Sequence, residues 1–250
     1  MKILNLYCGI GGNRKLWGDE HKVVAVENNK DIAAVYQKFF PNDKVVVEDA
    51  HQYLLKHYKE FDFIWSSPPC QSHSVCNYFL KGQGIVRFPD MKLYEEIIFM
   101  QLHCKDIKWV VENVKPYYEP LQKPTAKLGR HLFWSNFEIE EININYVDIG
   151  TMNRSASKKS QRKAIIREAQ IPELIDLHGL KDFKLPNKRQ VLRNCVLPQL
   201  GKHILSCATK RSVSELKLSK AQSPNISLKE SSLEDSQILS NDETSLNNNN

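Results

Sequence analysis

Apolar and polar positions switch repeatedly between two periods along this chain. Lys2–Tyr7 alternates weakly and reads as a first strand. Val23–Val26, Lys44–Val47, Phe61–Trp65 and Ile107–Val111 are short apolar runs of strand length. Helical spacing lies between them: Ile32, Val35, Tyr36 and Phe39 share one face of a segment closed by Pro41, and Met91–His103 returns to that period. Asn13–Trp17 can open a helix after the first strand. Strands alternating with helices predict an α/β fold with a mostly parallel sheet. Val75–Asp90 is polar and aromatic, holds Gly82 and Gly84, and reads as a mobile loop. Beyond Lys210 the chain turns to Ser, Asn, Lys and Glu, without hydrophobic period, and is expected to be disordered.

Open α/β sheets bind ligands outside the carboxyl ends of their strands, so the residues there carry the chemical reading. The first strand ends in Cys8-Gly9-Ile10-Gly11-Gly12, a turn whose glycines let backbone approach a nucleotide; a tight turn also uses glycine for structure alone. Glu27 ends the second strand, the place for a carboxylate gripping ribose hydroxyls, and Asp49 follows the third, placed to contact an adenine amino group. Each acid alone also reads as a solvated loop residue. The fourth strand runs into Ser66-Ser67-Pro68-Pro69-Cys70-Gln71-Ser72-His73-Ser74. Its two prolines stop the ladder and present a thiol on stiff backbone, as nucleophilic sulfur requires. Cys70 also reads as a small core residue, or as part of a C-x2-H-x2-C cluster with His73 and Cys76, for which a closed zinc site lacks a fourth ligand. Glu112-Asn113-Val114 ends the fifth strand; Glu112 reads as a reacting carboxyl or as the cap of a helix-like Lys115–Leu121 with Pro116 in its first turn.

The length of 250 residues suggests one domain plus appendages. Six cysteines without regular spacing, no apolar leader and no long apolar span lead us to expect a reducing, intracellular setting and no membrane partner. The net charge of +6 is uneven: from Glu215 onward three lysines face six acids, a net −3, which leaves +9 on Met1–Ser214. A basic body suits a polyanionic partner. Arg154, Lys158, Lys159, Arg162, Lys163 and Arg167 stand amid serines and read as a solvated face or as phosphate contacts.

Ser67-Pro68-Pro69-Cys70-Gln71, with Ser74 beyond it, resembles the catalytic motif of DNA cytosine-C5 methyltransferases. Amino-group methyltransferases carry an aromatic residue where Cys70 stands, so the cysteine points to carbon methylation. Asn5-Leu6-Tyr7-Cys8-Gly9-Ile10-Gly11-Gly12 is similar to the family's first motif, with Asn5 for the usual Asp and Tyr7 for the usual Phe. Glu112-Asn113-Val114 matches its E-N-V motif. Gly129–Trp134 falls where the family has Q-x-R-x-R, with Arg130 as the candidate arginine and His131 as its rival. Arg189–Pro198 resembles the last motif: Asn194, Val196 and Pro198 match, and Arg193 replaces the usual glycine. The resemblance covers roughly residues 1–208.

This resemblance implies a Rossmann-like S-adenosylmethionine-dependent fold. Residues 1–137 and 186–208 would form the catalytic domain, 138–185 a small target-recognition region and 209–250 the disordered tail. It implies S-adenosyl-L-methionine held by Tyr7, Gly9, Gly11, Gly12, Glu27, Asp49, Pro68, Asn194 and Val196. Catalysis would fall to Cys70, Glu112 and Arg130, and no metal is implied. Gln71 and Ser74 would meet flipped DNA, and Lys158, Lys159, Arg162 and Lys163 its phosphates. The protein would work as a monomer, with a restriction endonuclease as a possible companion. Methylation of RNA by a tRNA-type member and a non-enzymatic nucleic-acid-binding member are the alternatives. The Cys-Phe-Thr tripeptide of tRNA-type members is not found here.

Overall fold

The structure, a computed structural model, describes residues 1–75, 77–144, 172–185 and 187–210. Among them one sheet holds β1 (Lys2–Leu6), β2 (Lys22–Val26), β3 (Lys44–Val46), β4 (Phe63–Ser66), β5 (Lys108–Val114), β6 (Ala126–Leu128) and β7 (His131–Ser135). Their order is β3-β2-β1-β4-β5-β7-β6. The first five strands are parallel, and β7 runs antiparallel to β5 and β6. The helices are α1 (Lys30–Phe39), α2 (Ala50–His57), α3 (Asn77–Lys81), α4 (Lys92–His103), α5 (Pro172–Leu177), α6 (Lys188–Asn194) and α7 (Pro198–Thr209). This is the mostly parallel α/β arrangement that the alternating pattern predicts and the Rossmann-like fold that the resemblance implies. No helix among the described residues is long and apolar enough to cross a membrane.

β4 lies mid-sheet and is buried along its whole length. Its side chains divide by the strand's period of two. Ile64 joins Leu4, Leu6, Leu54 and Ile97 on one face, and Phe63 and Trp65 join Ile3, Trp17, Val110, Phe133 and Leu200 on the other. Each such side chain contributes about 1.5–3 kcal/mol on burial, so both faces hold β4 in register. Chain order reverses between β1 and β4, which opens a crevice beyond their carboxyl ends. The glycine turn after β1 and the Pro-Pro-Cys turn after β4 therefore become neighbours.

Helix starts follow their caps. The Asn29 side chain accepts from the Asp31 and Ile32 amides and opens α1, and that of Asp49 accepts from Gln52 and opens α2. Pro198 begins α7, and the Trp17 indole donates to the Gly201 carbonyl at 3.1 Å, holding α7 against the turn after β1.

Three expectations need correction. Asn13–Leu16 makes a single 3-10 turn, not a helix. Its polar side chains face inward: Asn13 pairs with Asn5 amide to amide, and Arg14 forms a buried bidentate ion pair with Asp43 at 3.0 and 3.1 Å. The stretch expected as a loop after Cys70 contains α3. Glu112-Asn113-Val114 end β5 as expected, and antiparallel β7 pairs them beyond the parallel strands, with Glu112 opposite Phe133. Lys115–Leu121 is not helical: the Lys115 amide donates to the Arg130 carbonyl and that of Tyr117 to the His73 carbonyl, which draws the segment out along its neighbours. Most of the expected recognition region (145–171) and the tail (211–250) lie outside the described residues.

Candidate active site

A cleft of about 400 Å³ opens at the reversal of strand order, a size usual for small-molecule sites. The glycine turn forms one end. Gly9 sits at φ +55°, and no atom lies within 4 Å of where a side chain would begin, so its backbone faces open cleft. At Gly12 a Cβ would meet the Cys195 sulfur and the Val196 carbonyl at 2.4 Å, so only glycine lets the turn close against the segment after α6. Glu27 accepts from the amides of Gly9 (3.1 Å) and Asn29 (3.0 Å). Burial pushes its carboxyl above the usual range while these backbone donors oppose the shift. Tyr7, Pro68, Asn194 and Val196 also line the cleft. Gly11 and Asp49 do not: Gly11 backs onto the rings of Tyr36 and Phe40, and Asp49 is engaged in capping α2 and facing Lys92 at 3.6 Å.

Cys70 stands half-buried at the other end, its thiol 3.8 Å from Asn194 Oδ1. Burial and the nearby Glu112 carboxylate push the thiol up to about 11, opposed by Arg130 and Arg193. Glu112 is buried, and desolvation raises its carboxyl to about 7 against a hydrogen bond with Ser67 and the charge of Arg130. It therefore keeps a proton into the neutral range. Asn113 donates to the Pro68 carbonyl at 3.0 Å and accepts from the Val114 amide at 2.9 Å, tying the Pro-Pro-Cys turn to β5.

Of the two candidates at Gly129–Trp134, His131 lines the cleft with its Nε2 3.6 Å from Glu112. Burial drives His131 down to about 3, so this contact is not an ion pair near neutrality. Arg130, in the turn between β6 and β7, donates to the Arg193 carbonyl at 2.5 Å.

Past Cys70 the backbone is held from several sides. Gln71 lines the cleft, and its carbonyl accepts from Asn77 at 2.9 Å and Arg87 at 3.4 Å. The buried His73 ring bonds Tyr118 OH, and Ser74 bridges Pro116. Cys76, Lys158, Lys159, Arg162 and Lys163 lie outside the described residues.

One cluster escaped the sequence reading. Glu96 of α4, fully buried, accepts from Tyr7 OH and Ser66 OH at 2.6 Å each and stands 3.2 Å from His51. Hydrogen bonding to Glu96 raises His51. Tyr7 is held at φ +53°, a costly conformation for a non-glycine residue. In sequence these four residues share no pattern: Tyr7 follows β1, Ser66 ends β4, His51 stands near the start of α2 and Glu96 sits within α4.

The family described as C-5 cytosine-specific DNA methylase matches residues 1–127. The type II methyltransferase M1.HgaI of Avibacterium volantium is 27% identical over 158 residues, which cover 58% of this chain and 43% of that protein. The type II methyltransferase M.Bsp6I of Bacillus sp. (strain RFL6) is 28% identical over 165 residues, covering 63% and 50%. The chain thus spans half or less of the length of these curated relatives. A crystal structure of a Spodoptera frugiperda DNMT2 mutant aligns over 48% of this chain and 37% of its own, at 29% identity and a TM-score of 0.35. S-adenosyl-L-methionine is the methyl donor consistent with this family. The cleft fits it: Gly9 leaves open backbone, and Glu27 offers carboxylate oxygens beside it.

Proposed function

The chain belongs to the C-5 cytosine-specific DNA methylase family, and from that premise we propose that it transfers a methyl group to C5 of cytosine in DNA through a covalent adduct at Cys70. One observation carries the proposal. Cys70 and a Glu112 that keeps its proton to about 7 open on the same cleft as Gly9 and Glu27.

The chemistry follows from these positions. Cytosine C5 is a weak nucleophile until sulfur adds at C6. Cys70 gives up its proton to solvent and forms the S–C6 bond, and the ring's displaced electrons gather toward N3 and C5. Glu112, protonated, donates to N3 and neutralises that charge. S-adenosyl-L-methionine supplies an electrophilic methyl group when bound. C5 would take that methyl as its bond to the donor's sulfur breaks, the electron pair staying on sulfur; C5 then gives its proton to solvent, Glu112 recovers its proton from N3, and the returning electrons expel Cys70 as thiolate. Asn113 keeps the Pro-Pro-Cys turn on β5 throughout, fixing sulfur relative to Glu112. The target base must leave its stack to reach this cleft, at a cost of a few kcal/mol. Gln71, Ser74 and the basic run Lys158, Lys159, Arg162 and Lys163 are proposed to offset it. The type II relatives make a companion restriction endonuclease part of the same reading.

Incubating the purified protein with labelled S-adenosylmethionine and separate DNA and RNA pools tests this. Label is expected on cytosine C5 of DNA and absent with Cys70→Ser. Label confined to RNA would move the substrate class, and label in neither pool would overturn the proposal.

A further inference from the structure

Two arginines from different parts of the chain act on Cys70, of which Arg193 lines the cleft and Arg130 does not. Arg130 sits in the turn between β6 and β7, and Arg193 in the last turn of α6. Arg130 donates to the backbone carbonyl of Arg193, and the next residue, Asn194, places its Oδ1 3.8 Å from the Cys70 sulfur. Arg193 lines the cleft with Cys70, Gln71 and Glu112. Among the described residues the side chain of half-buried Arg193 makes no hydrogen bond or ion pair, whereas buried Arg14 is fully engaged by Asp43 and the Gly18 carbonyl.

A partner-free guanidinium beside a cleft is suited to hold an anion, since its fork of donors matches phosphate and carboxylate oxygens. The other groups facing Cys70 do not compete for that role. Glu112 of β5 is acidic, His131 of β7 is neutral near neutrality, and Asn194 is uncharged. Sequence comparison marks Arg193 only as a departure, an arginine where glycine is usual. The fold shows the departure lining the cleft, with Arg130 bound to its backbone carbonyl from the turn before β7.

We propose that Arg193 holds the anionic group of the nucleotide substrate at the Cys70 end of the cleft, as a second cation beside Arg130. This rests on the reading of Cys70 as the nucleophile. The anchoring of Arg130 uses the Arg193 backbone carbonyl, so Arg193→Ala removes the charge and leaves that acceptor in place.

The test uses Cys70 itself as reporter, without S-adenosylmethionine or DNA. Thiolate displaces iodide from both iodoacetamide and iodoacetate, the thiol proton passing to buffer, and peptide mapping isolates modification at Cys70. The neutral and anionic reagents share the same thiolate, so the ratio of their rates cancels thiol acidity and exposure. It reports the pull of the cleft on an anion. Arg193→Ala should lower the iodoacetate-to-iodoacetamide ratio by about fivefold at low ionic strength, the effect of one unit charge some 4 Å away in water. High salt should shrink the difference. Arg193→Lys should keep the ratio near the parent value. An unchanged ratio in Arg193→Ala, with a lowered one in Arg130→Ala, would assign the anion to Arg130 alone and overturn the proposal. Equal losses in Arg193→Ala and Arg193→Lys would show that the side chain acts by shape, which also overturns it. The methyl-transfer assay is separate: the expected ratio change with no methylation of DNA would leave the anion site standing and remove the function.

Discussion

Replacing Glu112 by Gln should make the protein more stable and nearly inactive, and the gain should depend on pH. Glu112 is buried inside β5 with its carboxyl raised to about 7 from an ordinary 4.5. An unfolded chain ionises this group freely above pH 4.5, whereas the folded chain resists until about 7. The folded state thus binds the proton more tightly, and stability falls as pH rises through that window and then levels off. The difference corresponds to about 3 kcal/mol above pH 7. Glutamine keeps the shape and an oxygen for Ser67 but carries no such penalty. For a body of this size, Glu112→Gln should melt roughly 6–12 °C above the parent at pH 8, and the two should converge near pH 4.5. Thermal melts at half-unit pH steps, with denaturant titrations at the two extremes, give the curve. Methyl transfer should drop by about 10²–10⁴, the usual contribution of a positioned acid. A melting difference that is constant across pH would refute the reasoning, because Glu112 would then ionise alike in both states.

Cys70→Ser should abolish methyl transfer while calorimetry shows S-adenosylmethionine binding retained, and DNA with 5-fluorocytosine in the recognised site should trap a covalent adduct only on the parent protein. Glu27→Ala should weaken S-adenosylmethionine binding by about 1–3 kcal/mol, read by calorimetry; unchanged affinity would place the ribose elsewhere. Glu96→Ala leaves Tyr7, Ser66 and His51 without their shared acceptor and should cost about 3–5 kcal/mol in a denaturant titration. Neutralising Lys158, Lys159, Arg162 and Lys163 together should flatten the slope of log affinity against log salt by about 0.9 per lost phosphate contact on duplex DNA; a slope that does not change would remove these residues from the interface.

The sheet was legible because its strands are short apolar runs, each bounded by a turn or cap residue whose requirement is local. Asn29 caps α1 and Pro68-Pro69 stop β4 whatever the rest of the chain does. The enclosure of Glu112 was not legible, since it depends on β7, an antiparallel partner some 20 residues later in the chain. Asp49 and Gly11 show the opposite failure. Both stand where a ligand contact is reasonable, but a capping bond claims one and packing against Tyr36 and Phe40 turns the other away. Glu96 left no local signal: an acid in a helix reads as solvated until the fold brings Tyr7, Ser66 and His51 to it.

Burial holds both Cys70 and Glu112 toward their protonated forms, and the Glu112 charge adds to the upward push on the Cys70 thiol. With the thiol raised to about 11 and the carboxyl to about 7, the microstate that combines thiolate with protonated acid is a minor one across the range between them. Arg130 favours both ionised forms, so it cannot select that microstate alone. A base whose N3 accepts from Glu112 can. That hydrogen bond is made only by the protonated acid, so it holds the proton in place as pH rises. It also removes the negative charge that, after burial, does most to keep the Cys70 thiol protonated. On the proposed reading, binding the correct ring edge would couple to release of Cys70 as nucleophile, while a ring that cannot accept from Glu112 would leave the sulfur protonated.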